Sequence, residues 1–437
     1  MVKVRKQKKK WGRQVEIKKN NYRFNKIVMG IAAAILTGLV FFAKPIEVSA
    51  EGRPVSITSC MISGDQVVCQ LSAGSVPFPD GFRLPPHADG TLPLPLDVPG
   101  KGKCFVNICY HCKQDSALIK ADHLLGFDEI PLQNSDPRNQ DAVQLLGRSA
   151  GDGLITIRET DRMLVLSCEQ FTYVFNKLTG LFDKMTFANE PLLDQPMGFN
   201  VWRAPTDNDR KLKADWYAAH YDHAATNAYH TEYTVTASGV TLHTHVGIAA
   251  ICVQKFLDLD VTWTVANNGS VDLALHAQRN TVFPELPRFG LRLFLPQEMS
   301  QVNYYGMGPM ECYRDKHHAA SHSSYTATVW QLHEDYIRPQ ENGSHFDCDY
   351  VMLAGDAVRL TAVGTQPFSF NASHYTQEEL TRKAHNYELE PCGSTVLCLD
   401  YAQNGIGSES CGPRLLEQYR LDDAAFDFGL RLIPEKK

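Results

Sequence analysis

Helical periodicity is nearly absent from this chain, tryptophan is scarce at 5 of 437 residues, and no run of 18 or more apolar residues occurs. The first absence leaves only short helix candidates, at Asp215 to Ala225 and Gln377 to His385. It excludes an α/β barrel, which needs about 200 or more residues of alternating strand and helix. The last absence leaves one approach to a membrane span, the charge-free Ile27 to Ala43, at the lower limit of length. Internal repeats and low-complexity tracts are also missing, which excludes solenoids and prion-like segments. A net charge of −6 gives no reason to expect nucleic acid as a partner. What is there fits a folded, loop-rich protein: 43% hydrophobic residues, 21% charged and 23 prolines.

Charge is unevenly spread. Residues 1–26 hold eleven basic side chains, from Lys3 and Arg5 to Arg23 and Lys26, against the single acid Glu16. The apolar run follows, and then Val48-Ser49-Ala50, with small residues where a signal peptidase reads. That order is the layout of a secretory signal. An uncleaved anchor with the basic end inside is the second reading. Residues 1–50 are therefore expected to form a basic leader with an N-terminal apolar helix that meets the membrane, so that the chain is exported or membrane-anchored.

Cys104, Cys109 and Cys112 make C-x4-C-x2-C, and His317, His318 and His322 lie close in sequence. No second C-x-x-C appears, and CFVNICYHC alternates like a strand. Cysteines buried as small hydrophobes explain it better than zinc does. In an exported chain Cys60 and Cys69 become disulfide candidates, although connectivity cannot be read from sequence. Asn268-Gly269-Ser270, Asn342-Gly343-Ser344 and Asn371-Ala372-Ser373 fit the glycosylation acceptor pattern and are read as turns.

Over residues 51–133 short apolar alternations are broken by Pro and Gly, which predicts a small β-sandwich. Residues 134–152 are polar, without a clear period, and read as a linker. A large domain follows over residues 153–437. FTYVFNKLTGLFDKMTF reads as a hairpin turning at Lys177 to Gly180. Leu257, Leu259, Val261, Trp263 and Val265 share one parity, as do Val271, Leu273 and Leu275 beyond the Asn267 to Ser270 turn. That is the period of half-buried antiparallel strands. LRLFL, YVMLAG, VRLTAV, STVLCLDY and FDFGLRL repeat the pattern, so the fold class is all-β.

Three stretches break it: WRAPTDNDR at Trp202 to Arg210, YYGMGPMECYR at Tyr304 to Arg314, and YIRPQENG at Tyr336 to Gly343. Each sets an arginine and carboxylates beside a proline. The second is too turn-rich for a helix and too polar for a core strand, and Gly306 and Gly308 free its backbone or let something approach closely. All three read as loops on a rigid scaffold, where binding residues concentrate. Ordinary surface turns are the alternative.

Taken in order with FSFNASHYTQEEL and DYAQNGIGSESCGPRLLEQYRL, these stretches resemble the C-terminal domain of the large bacterial β-galactosidases of glycoside hydrolase family 2. In some bacteria that domain is a separately encoded small subunit. The resemblance runs from about Gly153 to the end of the chain, and a weaker one reaches back through LPLPLDVPGKGKCFVNICYHC and ADHLLGFDEIPLQ. It implies a small immunoglobulin-like sandwich followed by a large antiparallel β-supersandwich. The leader is not part of it, and family members are usually intracellular, so a cytoplasmic location is the alternative.

A retaining glycosidase places two carboxylates about 5–5.5 Å apart across the sugar. The family carries both glutamates on a barrel that this sequence lacks, and no stretch here resembles their motifs. The resemblance thus implies one component of a β-galactosidase that hydrolyses terminal β-galactosides such as lactose. Its partner would be a barrel-bearing large chain. It would hold no catalytic residue, metal ligand or cofactor of its own, the family's Mg and Na lying on the missing domains. A secreted carbohydrate-binding or surface β-sandwich without hydrolysis is the alternative function, and a functionless remnant a third.

Arg203, Asp207, Asn208 and Asp209 fall where the family has a loop facing the active-site mouth. Either they orient that loop or touch sugar hydroxyls, or they form an Asx-turn with no ligand. Glu311 with Arg314, and Arg338 with Glu341 and Asn342, are expected as ion-paired supports between loops, with Tyr305 in the same network. His374 joins them or is a satisfied strand-end histidine. Where many members carry a sugar-stacking tryptophan, this chain has Cys411, in a segment one residue shorter.

Overall fold

The computed structural model describes residues 103–112, 114–132, 138–407 and 411–437 in full or in part, and the backbone of residues 2–8, 13–19, 41–50, 53–56, 59–63, 66–71, 74–77 and 92–96. Residues 20–40, which hold most of the apolar run expected as a helix, lie outside these, as do the Cys60 and Cys69 side chains. No helix among the described residues is long and apolar enough to cross a membrane. Two compact units emerge, residues 1–141 with 321–323, and residues 142–320 with 324–437.

In the first unit the strand Cys104–Cys112 pairs antiparallel with Leu124–Leu132, and Phe105, Cys112 and Ile130 are buried. His322 belongs here, stacked on Phe105 at 4.2 Å and bonded through Nδ1 to Glu129 Oε1 at 2.6 Å. Among the described residues no group of three or more His, Cys, Asp or Glu is placed to hold a metal.

The second unit is all-β. A five-stranded antiparallel sheet comes first, in sequence order from Thr156–Glu159 to Glu190–Pro191. It includes the hairpin of Phe171–Asn176 and Leu181–Phe187, where Gly180 takes φ +73° at the turn. The large sheet is also antiparallel. Its strands follow the spatial order Gln195–Asn200, Arg288–Pro296, Ser394–Gln403, Val358–Ser373, Ala425–Lys436, Val271–Arg279, Leu257–Ala266, Gly239–Ala249 and Ala225–Thr236. Ser344–Ala354 also pairs with Val358–Ser373, and carries Gln301–Gly308 on its other edge. Period-two burial decides the faces: Leu257, Leu259, Val261, Trp263 and Val265 are all buried, and Trp263 Nε1 donates to Gly180 O at 3.0 Å, tying the two sheets together.

Several expectations are corrected. Gln301–Gly308 is a strand, with Tyr304 and Tyr305 fully buried, so half of YYGMGPMECYR lies in the core. Tyrosine permits this because the ring packs while the hydroxyl finds a partner; Tyr304 OH lies 3.1 Å from Nδ1 of His345. Burial pushes the His345 pKa down to about 4, which keeps the ring neutral. Asn371 is also a strand residue, buried in Val358–Ser373, rather than part of a turn. The stretch read as a linker contains a short helix, Gln140–Leu146. The two helix candidates are shorter than their patterns. Leu212–Ala218 ends just before left-handed His220, and Gln377–Arg382 starts at Thr376, whose hydroxyl accepts from Glu379 N at 3.1 Å.

Candidate functional site

The register of the large sheet gathers its loops at one end. Asn200 lies opposite Gly290, and Arg288 opposite Gln403, so the chain leaves or enters three neighbouring strands side by side. Ser344, opposite Asn371, opens a fourth strand nearby. From these ends come WRAPTDNDR, YIRPQENG and the segment after Gln403.

Backbone hydrogen bonds then lace the loops together. Glu341 N donates to Ala204 O at 3.0 Å, Cys312 N to Ser344 O at 2.7 Å, and Gly405 N to Tyr419 O at 2.8 Å. Side chains add to this. Gln340 Oε1 accepts from Asp207 N at 3.1 Å, and Asn208 donates to Ile406 O at 3.0 Å. Asp315 accepts from the amides of Ile406 and Gly407 at 3.1 and 2.8 Å. Between the loops lies an open cavity of about 700 Å³, lined among others by Asp207, Asn208, Glu311, Asp315, Tyr336 and Glu341.

Below the cavity is a buried layer of charge. Arg203, fully buried, donates from Nη2 to Asp209 Oδ1 at 2.7 Å and to Gly405 O at 3.1 Å, with its guanidinium 5.2 Å from the Trp216 ring centre. The other oxygen of Asp209 accepts from the amide and hydroxyl of Thr206, at 2.8 and 3.1 Å. Asp209 therefore caps the short 3₁₀ turn Asp207–Arg210 from within while holding the arginine. The contact is a capping box, with the side chain reaching back to the amide three residues earlier, rather than the Asx-turn expected as one of the two readings.

The ion pairs differ from those expected. Glu311 pairs with Lys316 at 2.7 Å and also accepts from Gly343 N at 3.0 Å and from Tyr336 OH. Burial pushes its pKa up, but these donors outweigh burial and hold the carboxyl below its usual range. Arg314 instead donates to Arg420 O at 3.1 Å and lines a second, smaller hollow. Arg338 is exposed at the rim, 3.9 Å from Asp207. Glu341 pairs with Arg288, Nη1 to Oε2 at 3.1 Å, and Arg288 forks its other two donors onto Asp400. Burial raises the Glu341 pKa, and Arg288 only partly counters it.

Asn342 is a brace: it accepts from Glu334 N at 3.1 Å and donates to Gln340 O at 2.9 Å. Three predicted residues stand apart from the cavity. Tyr305 packs with Tyr350, Val363 and Ile433. His374, buried, faces Ser394 O at 3.4 Å and the Trp330 ring at 4.7 Å. Cys411 is exposed and does not line the cavity.

Sequence reasoning missed Arg288, Asp400, Lys316 and Tyr336. For the first two a signal was available. Asp400 is a lone charge in the apolar strand STVLCLDY, and Arg288 opens RFGLRLFL, a strand charged otherwise only at Arg292; burial of either is costly unless a partner waits.

Comparison with known proteins gives the family. The family described as beta galactosidase small chain matches residues 167–432. A β-galactosidase of Actinobacillus pleuropneumoniae is 38% identical over 80% of this chain and 34% of its own length. One from Staphylococcus xylosus is 34% identical over 79% of the chain and 34% of its own length. A third, from Pseudoalteromonas haloplanktis, is 26% identical over 84% of the chain and 36% of its own length. The chain thus spans about a third of the length of the relatives it matches.

Proposed function

The chain belongs to the β-galactosidase small-chain family, and from that premise we propose that it is the non-barrel component of a β-galactosidase. It buttresses and edges an active site whose two glutamates are carried by a separate barrel-bearing polypeptide, and it turns over terminal β-galactosides such as lactose only in that company. One observation carries the reading: the loops of the resemblance meet at one end of the sheet around an open cavity, while its buried glutamates are held by fixed partners. Glu311 accepts from Lys316, Tyr336, Gly343 and, at 3.5 Å, Tyr313, and Glu341 is anchored on Arg288.

In the YIRPQENG loop Ile337 is 78% exposed, and Tyr387 of the neighbouring segment 80%; the two segments are linked by Asn386 N donating to Ile337 O at 2.9 Å. Exposed apolar groups of this kind suit a face that a partner covers. On this reading the metals of the family sit on the other polypeptide, and the leader directs the chain into or through the membrane.

The test mixes full-length chain with the barrel-bearing chain of a two-chain β-galactosidase and follows an aryl β-galactoside. No chromophore from the chain alone and turnover on mixing are expected. Turnover by the chain alone, or galactoside binding with no response to the barrel chain, would replace this reading with that of an enzyme complete in itself or a carbohydrate-binding module. Cell fractionation with an antibody to the large domain tests the leader: recovery with cytosolic proteins would end the export proposal.

A further inference from the structure

Three buried acids, Asp209, Asp400 and Glu341, share two buried arginines. Arg203 is committed to Asp209. Arg288 gives two of its donors to Asp400 and only Nη1 to Glu341, at Oε2. Oε1 of Glu341 accepts no hydrogen bond, although the residue is only 4% exposed. A buried carboxylate oxygen without a donor is costly and calls for an explanation.

The surroundings do not supply one. Glu341 lines the cavity together with Asp207, Glu311 and Asp315, against Lys316 and Arg414. Lys316 is bound to Glu311, and Arg414 is forked onto Glu285 at 2.7 and 2.9 Å. The wall therefore presents more negative charge than its own cations cover, around a space of about 700 Å³. That space is far larger than a metal cage, and among the described residues no cluster of acids or histidines converges as a metal requires. A group that brings one positive charge and its own N–H donors, on a carrier large enough to fill the space, suits it better.

We propose that this cavity seats a cationic side chain, a guanidinium or primary ammonium, of the barrel-bearing polypeptide, with Oε1 of Glu341 as its acceptor. The inference rests on the reading that such a polypeptide docks here. It deepens that reading, because it makes Glu341 a residue that positions the partner rather than one that merely braces a loop.

Methylguanidinium serves as the probe, titrated into the full-length chain at neutral pH, with tetramethylammonium, which lacks N–H donors, at matched ionic strength. Saturable binding of the first and none of the second is expected, by calorimetry or by shifts in NMR spectra. Glu341→Gln keeps the shape and removes the charge; it should weaken binding at least tenfold. Should that variant fail to fold, Lys316→Met at the exposed edge offers an independent measure. It unmasks Glu311 and should tighten binding several-fold. Absence of saturable binding to both the unaltered chain and Lys316→Met overturns the proposal. So does an infrared band of a protonated carboxyl at neutral pH that disappears in Glu341→Gln and ignores the probe, because a proton would then fill the role. Turnover on mixing with a barrel chain, without probe binding, sinks this inference and leaves the two-chain reading standing; the reverse result separates them the other way.

Discussion

Arg288 and Asp400 lie in adjacent strands of the large sheet, both fully buried, with Nε of the arginine 3.1 Å from Oδ1 of the aspartate. The same guanidinium also holds Glu341, so a single cation in the sheet anchors the YIRPQENG loop above it.

Loss of that cation leaves two buried carboxylates facing each other. Arg288→Met should therefore cost about 3–5 kcal/mol of stability, the range for breaking a buried pair by removing one partner. Arg338→Met, at the exposed rim, should stay within about 0.5 kcal/mol. Urea denaturation of both variants decides it. If Arg288→Met is no worse than Arg338→Met, the buried layer does not hold the loops.

Glu311 and Glu341 should give stability opposite dependences on pH. Donors from Lys316, Tyr336 and Gly343 hold the Glu311 pKa low in the folded state. Its contribution is present above the unfolded value of about 4.3 and is lost as pH falls through the folded one. Burial raises the Glu341 pKa, so its contribution is complete below about 4.3 and is lost as pH rises through the folded value. Glu311→Gln should flatten the acid limb of a stability–pH curve, and Glu341→Gln the limb above it. Equal effects on both limbs would show that the two groups titrate as one unit.

The strand pattern was legible in the sequence because a half-buried antiparallel strand must alternate, and Leu257 through Val265 do so without a break. The loops were legible because proline, glycine and clustered charge have no place in such a pattern. Pairing was not. Glu311 and Arg314 are near in sequence, yet Lys316 reaches the carboxylate, because Arg314 turns toward Arg420 O. Arg288 finds Glu341 and Asp400 across long separations that only the sheet register sets. Tyr304 and Tyr305 misled for a related reason: a hydroxyl looks polar in a string of letters, while in the fold the ring decides where it sits.

Gly306 shows what the register demands of a single position. An added Cβ there would lie 2.3 Å from Sγ of Cys348 and 2.8 Å from its Cα, where backbone cannot give way cheaply. Gly306→Ala should thus destabilise by about 1–3 kcal/mol, as overpacking does. Gly198 is the control, since a Cβ there meets nothing within 4 Å. Thermal unfolding of the two variants should separate them clearly; equal midpoints would mean that the Gln301–Gly308 strand can slide away from its neighbour.

Ile337 carries the last prediction. Its side chain is 78% exposed on a loop whose backbone is fixed from both sides, by Asn386 N on Ile337 O and by Glu341 N on Ala204 O. Folding of the isolated chain gains little from so exposed a group, so Ile337→Asp should leave its unfolding midpoint within the scatter of surface substitutions, about 0.5 kcal/mol. Docking is another matter. If a barrel covers this face, a buried, unpaired aspartate costs enough to raise the concentration of chain needed for half-maximal complementation at least tenfold. Titrating the variant against a fixed amount of barrel chain gives that concentration directly. An unchanged value would place the docking surface elsewhere on the sheet and remove Ile337 and Tyr387 from it.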